Sequence, residues 1–167
     1  MSTLLSGILG KHPAEELTAG EAQVLWENLV VRYDVLELSE FFRSCAEDSE
    51  FKLLLTRGCE GTLKSQITEL EQLLQKYKIA LPDRPPKMNT DGGAVKEAVR
   101  DELIFRIVLR GMQDCMDMHA RALRAVVNDG LRNLFMGHLT DELKMYDNWV
   151  KYGKVKGWIK APPAYRH

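Results

Sequence analysis

Apolar residues recur at intervals of three and four positions along four long stretches of the chain. This spacing places them on one face of an α-helix and predicts four amphipathic helices. The predicted helices span residues 18–45, 50–77, 94–127 and 131–152. No stretch alternates with the period of two that marks a half-buried strand, so the sequence predicts an all-α protein.

The ends of several predicted helices carry local signals. Thr18 and Glu21 have the spacing of a capping box, in which each side chain binds the backbone amide of the other residue. Asp48 or Ser49 is placed to cap the second helix. Gly153 is predicted to end the fourth helix in a left-handed conformation.

The connections between the helices predict the topology. Short polar turns join the first helix to the second and the third to the fourth, so each pair is expected to form an antiparallel hairpin. Residues 79–93 contain Pro82, Pro85, Pro86 and two glycines, and cannot be helical throughout. Fifteen extended residues reach roughly 50 Å, about the length of a bundle. We therefore predict a ferritin-like four-helix bundle with up-down-down-up topology and a long crossover between the second and third helices.

The whole chain, 1–167, is predicted to be one domain, with 1–17 as an N-terminal arm and 153–167 as a C-terminal tail folded over one end. Residues expected to face the core follow the helical spacing. On the third helix they are Val95, Val99, Leu103, Ile107, Met112, Met116 and Leu123. On the fourth they are Leu134, Phe135, Leu139, Leu143, Tyr146, Trp149 and Val150.

Composition and charge narrow the choice of partners. A chain of 167 residues with 45% hydrophobic and 28% charged residues has the balance of an ordinary globular domain. The formal net charge is -1, so neither a nucleic acid nor an anionic membrane is expected as a partner. No stretch is apolar enough to span a bilayer. The expected partner is a second copy of the chain, as a dimer, or another protein.

Cysteine usage predicts the compartment. Cys45, Cys59 and Cys115 are odd in number and form no Cys-x-x-Cys pair, which is typical of free thiols in a reducing cytosol. The apolar stretch from Leu4 to Leu9 is too short for the core of a signal peptide. A cytoplasmic location is therefore predicted.

Short motifs lie along nearly the whole chain. They are Ile8-Leu9-Gly10, Leu17-Thr18-Ala19-Gly20-Glu21, Leu25-Trp26, Ile79-Ala80-Leu81-Pro82, Met145-Tyr146, Lys156-Gly157-Trp158 and Pro162-Pro163. Together they resemble the family called domain of unknown function 3231. The resemblance implies a bacterial protein with a ferritin-like fold, distantly similar to coat F-type spore proteins, and it implies no particular activity.

A ferritin-like fold raises the question of a metal site. Di-iron bundles take a carboxylate from each of two helices and a Glu-x-x-His pair from each of the other two. The sequence contains no Glu-x-x-His, which argues against an oxygen-activating di-iron enzyme. A reduced site is still possible, because His138 and Glu142 are four residues apart and His119 is expected at the depth of His138. These three residues could ligate a single Fe, Mn or Zn ion.

The competing interpretation of the same residues is structural. In it, His138 is half-buried and hydrogen-bonded, Glu142 pairs with a neighbouring base and His119 faces water. The resemblance also places Gln66, a poor ligand, where relatives often carry histidine. No catalytic set is therefore expected, and no cofactor beyond that single metal ion.

Two functions follow from this. The favoured hypothesis is a non-enzymatic structural or interaction protein, because the helical scaffold is complete and carries no coherent catalytic set. For such a protein the resemblance implies an association with spores. The alternative is a metal-binding ferritin-like protein in which His119, His138 and Glu142 hold the ion. Such a protein could be a degenerate oxidoreductase.

Overall fold

The computed structural model describes residues 16–88 and 99–165, and within these ranges the chain forms four long helices and no strand. They are α1, Ala19–Cys45; α2, which runs without interruption through Ser49–Leu54, the π-helical Leu55–Glu60 and Gly61–Lys76; α3, Asp101–Ala125; and α4, Asp129–Lys156. The predicted all-α class is confirmed. None of these described helices has the length and apolar character needed to cross a membrane.

The start of α1 has the predicted capping box. The amide of Glu21 donates to Thr18 Oγ1 over 3.2 Å, and the amide of Thr18 donates to Glu21 Oε2 over 3.0 Å. The second carboxylate oxygen of Glu21 accepts from the amides of Val127 and Asn128, each over 2.9 Å. Burial works to raise the pKa of Glu21, but these hydrogen bonds outweigh it and lower the pKa to about 2. The carboxylate thus ties the start of α1 to the turn between α3 and α4.

Two aspartates organise the opposite end of the bundle. Asp48 caps α2, as predicted, by accepting from the amides of Glu50 and Phe51. The carboxylate of Asp101, the first residue of α3, accepts from the amides of Glu47 and Asp48 over 2.9 Å each. The start of α3 therefore lies against the turn between α1 and α2.

Side-chain contacts show which helices are neighbours and how they run. The contacts are Tyr33–Glu71 and Arg43–Glu60 between α1 and α2, Phe105–Trp149 and Gln113–Tyr146 between α3 and α4, and Phe51–Trp149 and Glu69–His138 between α2 and α4. In each pairing the residue numbers rise on one helix as they fall on the other. These three pairs of helices are therefore antiparallel.

The predicted start of the third helix needs a correction. Val99 and Arg100 are not helical, and α3 begins at Asp101 with Arg100 as its extended N-cap residue. The Arg100 side chain makes no capping hydrogen bond, and the acidic residues Asp101 and Glu102 supply favourable charge to the first turn. The predicted helical residues 94–98 lie outside the described part of the chain.

The predicted end of the fourth helix is wrong. Helix α4 continues through Gly153 to Lys156, and Gly157, with φ 71°, is the left-handed stop. Gly153 has a packing role instead, because a Cβ atom there would lie 2.1 Å from Cζ of Phe105. The Phe105 ring stacks on Trp149 at a centroid distance of 5.5 Å. A bare backbone at position 153 makes room for this aromatic pair.

Trp158 continues the same aromatic cluster beyond the end of α4. Its ring lies 5.3 Å from Phe51 and 5.5 Å from Phe105, between centroids. Its amide donates to the carbonyl of Gly153 over 2.8 Å. This part of the tail therefore packs against one end of the helices.

Three residues predicted to face the core are exposed instead. Leu103 is 44% exposed, Ile107 is 40% exposed and Leu143 is 52% exposed. The buried positions next to them belong to Ile104 and Glu142. The prediction assigned only apolar residues to the core. On α4, however, the charged Glu142 occupies the core position, because a partner of opposite charge neutralises it.

The described part of the predicted crossover, residues 79–88, lies along α1 and α2. The guanidinium of Arg84 is 4.4 Å from the centre of the Tyr33 ring, and it donates to Glu71 over 2.6 Å. Further along, the amide of Met88 donates to Glu37 over 2.6 Å. Residues 89–93 of the crossover and 1–15 of the predicted arm lie outside the described ranges.

Candidate functional site: a buried polar cluster in the bundle

A buried arginine is the centre of the candidate site. Arg32 shares the buried face of α1 with Leu25, Leu29 and Leu36, and its side chain has no exposure to solvent. Burying a charge in an apolar core is unfavourable unless it finds a counter-charge and hydrogen-bond partners. The position therefore requires partners from the other helices.

Helices α3 and α4 supply these partners. Nη2 of Arg32 lies 2.7 Å from Oε1 of Glu142, and the same nitrogen forms a hydrogen bond with Nε2 of His119. Nη1 donates to Sγ of Cys115 over 3.3 Å. All four side chains are buried. The guanidinium thus joins three helices through one ion pair and two hydrogen bonds.

His138 extends the cluster towards α2. Its ring lies 5.4 Å from the ring of His119, between centroids, and its Nε2 lies 3.1 Å from Oε2 of Glu69. Glu69 is half-exposed, whereas His138 is buried. The polar cluster therefore runs from Arg32 in the interior to a carboxylate at the surface of α2.

Burial controls the protonation of the cluster. It lowers the pKa of His119 to about 2, and the positive charge of Arg32 acts in the same direction. His119 is therefore neutral, and its Nε2 must be the acceptor for the Arg32 guanidinium, which can only donate. Burial raises the pKa of the Glu142 carboxyl and of the Cys115 thiol, while the charge of Arg32 opposes both rises.

His119 makes the stability of the fold depend on pH. A histidine with an ordinary pKa of 6.5 gains a proton on unfolding below that pH, whereas folded His119, with its pKa of about 2, does not. Its contribution is therefore present above pH 6.5 and is lost as the pH falls from 6.5 towards 2. We expect the free energy of unfolding to fall by about 1.4 kcal/mol per pH unit for this proton.

Urea denaturation of the wild type and of His119→Gln, between pH 7.5 and about 5, measures this effect. In the variant, the free energy of unfolding should depend on pH less steeply, by up to the equivalent of one proton. Some dependence should remain in both proteins, because burial also lowers the pKa of His138. Equal slopes in the two proteins would contradict the assignment of His119 as a buried neutral imidazole.

The three predicted metal ligands lie near one another. Nε2 of His119 is 4.0 Å from Oε1 of Glu142, and the His138 ring is next to that of His119. The guanidinium of Arg32 contacts both the histidine nitrogen and the carboxylate oxygen that a metal would need. A cation placed there would meet the charge of Arg32, so the residues as arranged do not fit a metal ion.

In the described ranges, 16–88 and 99–165, no group of three or more His, Cys, Asp or Glu side chains is arranged to hold a metal. The structural interpretation predicted that His119 faces water, and this is wrong, because His119 is fully buried. That interpretation had Glu142 paired with a base, and the structure shows the base to be Arg32.

Sequence reasoning missed Arg32, Cys115 and Glu69 as members of this cluster. A signal for Arg32 was available, because it lies at helical spacing from Leu25, Leu29 and Leu36 on an otherwise apolar face. A charged residue at such a position indicates a buried partner. Cys45 and Cys115 are free and buried, in agreement with the predicted free thiols, while the side chain of Cys59 lies outside the described part.

A second polar feature lies beside the cluster on α2. The amide group of Gln66 is buried without a hydrogen-bond partner among the described residues. Gln66 lines a groove of about 500 Å³ between α2 and α4 that begins at the π-helical stretch Leu55–Glu60. π-Helical turns are frequent at functional sites.

The four helices and their buried arginine cluster define a helical-bundle protein whose interior holds an arginine–glutamate ion pair among several buried polar groups. The chain belongs to the family described as "Protein of unknown function (DUF3231)", whose sequence profile matches residues 6–167. This confirms the family predicted from the short motifs. No curated protein matches the sequence.

Three solved structures have a similar fold. A candidate spore coat protein from Bacillus halodurans is 18% identical, with a TM-score of 0.82, and the match covers 92% of this chain and 98% of that one. A conserved hypothetical protein from Mycobacterium tuberculosis is 11% identical, with a TM-score of 0.68 over 82% and 99% of the chains. A DUF305 fragment from Deinococcus radiodurans is 14% identical, with a TM-score of 0.64 over 83% and 97%. At these identities the likeness concerns the fold.

Proposed function

We propose that this chain is a non-enzymatic ferritin-like bundle that serves as a building block of a spore-associated protein assembly. The observation that carries the proposal is the Arg32 guanidinium, which fills the position among His119 and Glu142 where a ferritin-like enzyme would need its metal. Because a cationic side chain of the protein fills that position, the buried polar residues stabilise the fold and do not catalyse a reaction.

The ferritin-like topology is part of the proposal. The antiparallel contacts of α1 with α2, of α3 with α4 and of α2 with α4 support an up-down-down-up order. The crossover would carry the chain from the end of α2 at Lys76 to the start of α3 at Asp101. Its described portion supports this, since Arg84 contacts Glu71 and Lys87 contacts Glu40, nearer the end of α1.

The surface proposed to contact other copies lies between α1 and α3. A groove of about 490 Å³ is lined there by a mostly apolar set of side chains. The apolar members are Val24, Trp26, Val30, Val31, Met118, Ala122 and Ala125. We name this set the Trp26 groove. Trp26 is 38% exposed, and a half-exposed tryptophan in an apolar groove is a typical anchor of an interface.

The proposed occupant of the Trp26 groove is a second copy of the chain. Glu27 and Arg121 line the same groove, and their charges are opposite. In a twofold dimer the same patch meets itself, so Glu27 of one copy can face Arg121 of the other. Self-association through this face supports the building-block role.

We expect the wild-type chain to be dimeric and Trp26→Glu to be monomeric, because the glutamate would place a charge in the apolar contact. Light scattering after size-exclusion chromatography, over a range of concentrations, measures this. The matched control is Val155→Glu, at a residue that is 84% exposed near the end of α4, and it should stay dimeric. A monomeric wild type at high concentration, or a folded dimeric Trp26→Glu, would overturn the proposed interface.

A further inference from the structure

The groove of about 500 Å³ between α2 and α4 is lined mostly by charged, polar and small residues. Arg57, Gly58 and Gly61 line one end of it, within or next to the π-helical stretch of α2. Glu69 and Asp141 line the other end. We name the surface that these five residues define the Arg57 groove.

The two ends of the Arg57 groove carry opposite charges. Arg57 is exposed and has no ion-pair partner among the residues that the structure describes. Glu69 lies 12 residues further along α2, roughly 18 Å away, and is half-exposed beside His138. Asp141 follows His138 by one helical turn on α4, and Lys144 pairs with it over 3.7 Å. The cation at one end is therefore unpaired, and Glu69 gives the other end a negative charge.

The two glycines leave the backbone of α2 open to a neighbour. A Cβ atom at Gly58 would lie 3.8 Å from Cδ1 of Leu54, and one at Gly61 would lie 3.8 Å from the carbonyl oxygen of Thr56. These are ordinary contact distances, so packing within the chain does not require glycine at either position. Glycine is unfavourable inside a helix, but it permits the close approach of another molecule. This part of α2 can therefore accept close contact with a surface outside the chain.

The rest of the lining favours a polar occupant. Thr62, Ser65 and Asn148 line the groove beside the charged residues, and the buried amide of Gln66 lacks a hydrogen-bond partner among the described residues. An apolar ligand would remove these groups from water and give them no partners. A protein surface that carries charged side chains matches the groove better.

We propose that the Arg57 groove is a second contact between copies of this chain, in which Arg57 of each copy pairs with Glu69 and Asp141 of the other. A twofold axis across the groove brings the positive end of one copy to the negative end of its partner, so the charge pattern is self-complementary. The long side chain of Arg57 is the group that projects into the partner's groove, and arginine is enriched among interface anchors.

The proposal rests on the proposed building-block role and explains how dimers could associate further. Contacts of α1 with α2, of α2 with α4 and of α4 with α3 place the helices in the order α1, α2, α4, α3 around the bundle. The Trp26 groove lies between α3 and α1, and the Arg57 groove lies between α2 and α4. Twofold contacts on these opposite faces do not close on themselves, so they join copies into an open row.

The second contact is weaker than the first, because exposed ion pairs contribute little and are screened by salt. At about 150 mM salt, charges are screened beyond about 8 Å, and the states expected for wild type and Trp26→Glu are those given above. At about 10 mM salt the screening length rises to about 30 Å, and the Arg57 contact should form between dimers.

Sedimentation velocity of the full-length chain at both salt concentrations tests the proposal. We expect the wild type to form species larger than dimers at about 10 mM salt, and added salt should return them to dimers. Arg57→Glu should weaken this association at least about tenfold, because the new carboxylate would face Glu69 and Asp141. Asp141→Arg should have a similar effect, because its guanidinium would face Arg57.

The double variant Arg57→Glu with Asp141→Arg exchanges the two charges and should restore association, at the same formal net charge as the wild type. The matched control is Arg110→Glu, which has the same net charge as Arg57→Glu but changes an exposed arginine that lines neither groove. It should associate as the wild type does. Circular dichroism checks that each variant is folded.

The proposal is overturned if the wild type stays dimeric at about 10 mM salt, if Arg57→Glu associates as the wild type does, or if the double variant associates no better than the single ones. Failure of the Trp26 contact would give a different result. The wild type would then be monomeric at about 150 mM salt and form only dimers at about 10 mM salt, and Arg57→Glu would abolish those dimers.

Discussion

Replacing Arg32 with methionine should lower the free energy of unfolding by about 3–5 kcal/mol. Methionine keeps most of the apolar volume of the side chain but removes the positive charge. The Glu142 carboxylate would then be buried without its ion pair, and His119 and Cys115 would each lose a hydrogen-bond donor. The loss is large because an uncompensated charge in the interior is far less favourable than the intact pair.

Urea denaturation followed by circular dichroism measures this loss, and two further variants identify its cause. The double variant Arg32→Met with Glu142→Leu should recover most of the stability, because it removes both charges together. Arg110→Met removes an arginine whose side chain is 74% exposed and should change stability by less than about 1 kcal/mol. If the double variant were no more stable than Arg32→Met, the stranded carboxylate would not be the cause.

Gly153→Ala should also be strongly destabilising, although alanine is the better helix former. The new Cβ atom would lie 2.1 Å from Cζ of Phe105 and 2.9 Å from Cε1 and Cε2 of the same ring. The ring is held from its other sides, since it stacks on Trp149 and contacts Trp158. We expect a loss of about 3 kcal/mol, the upper part of the range for overpacked cores.

Thermal and urea unfolding of Gly153→Ala should be compared with Gly137→Ala. Position 137 is an exposed helical glycine with open space around its Cβ, so alanine there should stabilise the protein by about 0.5–1 kcal/mol. Adding Phe105→Leu to Gly153→Ala should relieve the contact, so the two substitutions together should cost less than the sum of their separate effects. A Gly153→Ala protein as stable as Gly137→Ala would show that the ring is not held in place.

Much of the fold could be predicted because its signals are local. The Thr18–Glu21 capping box needs only a spacing of three residues, and the apolar face of α2 needs only its period. Gly153 was misinterpreted because glycine is common both at helix ends and at close contacts. Only the position of Phe105, almost fifty residues away in the sequence, separates the two roles.

The candidate site could be predicted only in part. His119, His138 and Glu142 lie close together because the α3–α4 hairpin fixes their relative depth, which the sequence spacing shows. The partner that decides their chemistry, Arg32, comes from α1, and no local pattern relates α1 to that hairpin. Interpretation of the cluster therefore required the packing of three helices.

The π-helical stretch Leu55–Glu60 fixes the register of α2 along its whole length. One additional residue in a helical turn rotates everything beyond it by about 100° relative to a regular α-helix. With that residue in place, Phe51 contacts Trp149 in the second half of α4, and Glu69 contacts His138 in the first half. Deleting a single residue here would convert the stretch to regular α-helix and leave only one of these two contacts able to form. The rotational register of α2, rather than its length alone, therefore lets it contact α4 at both Trp149 and His138.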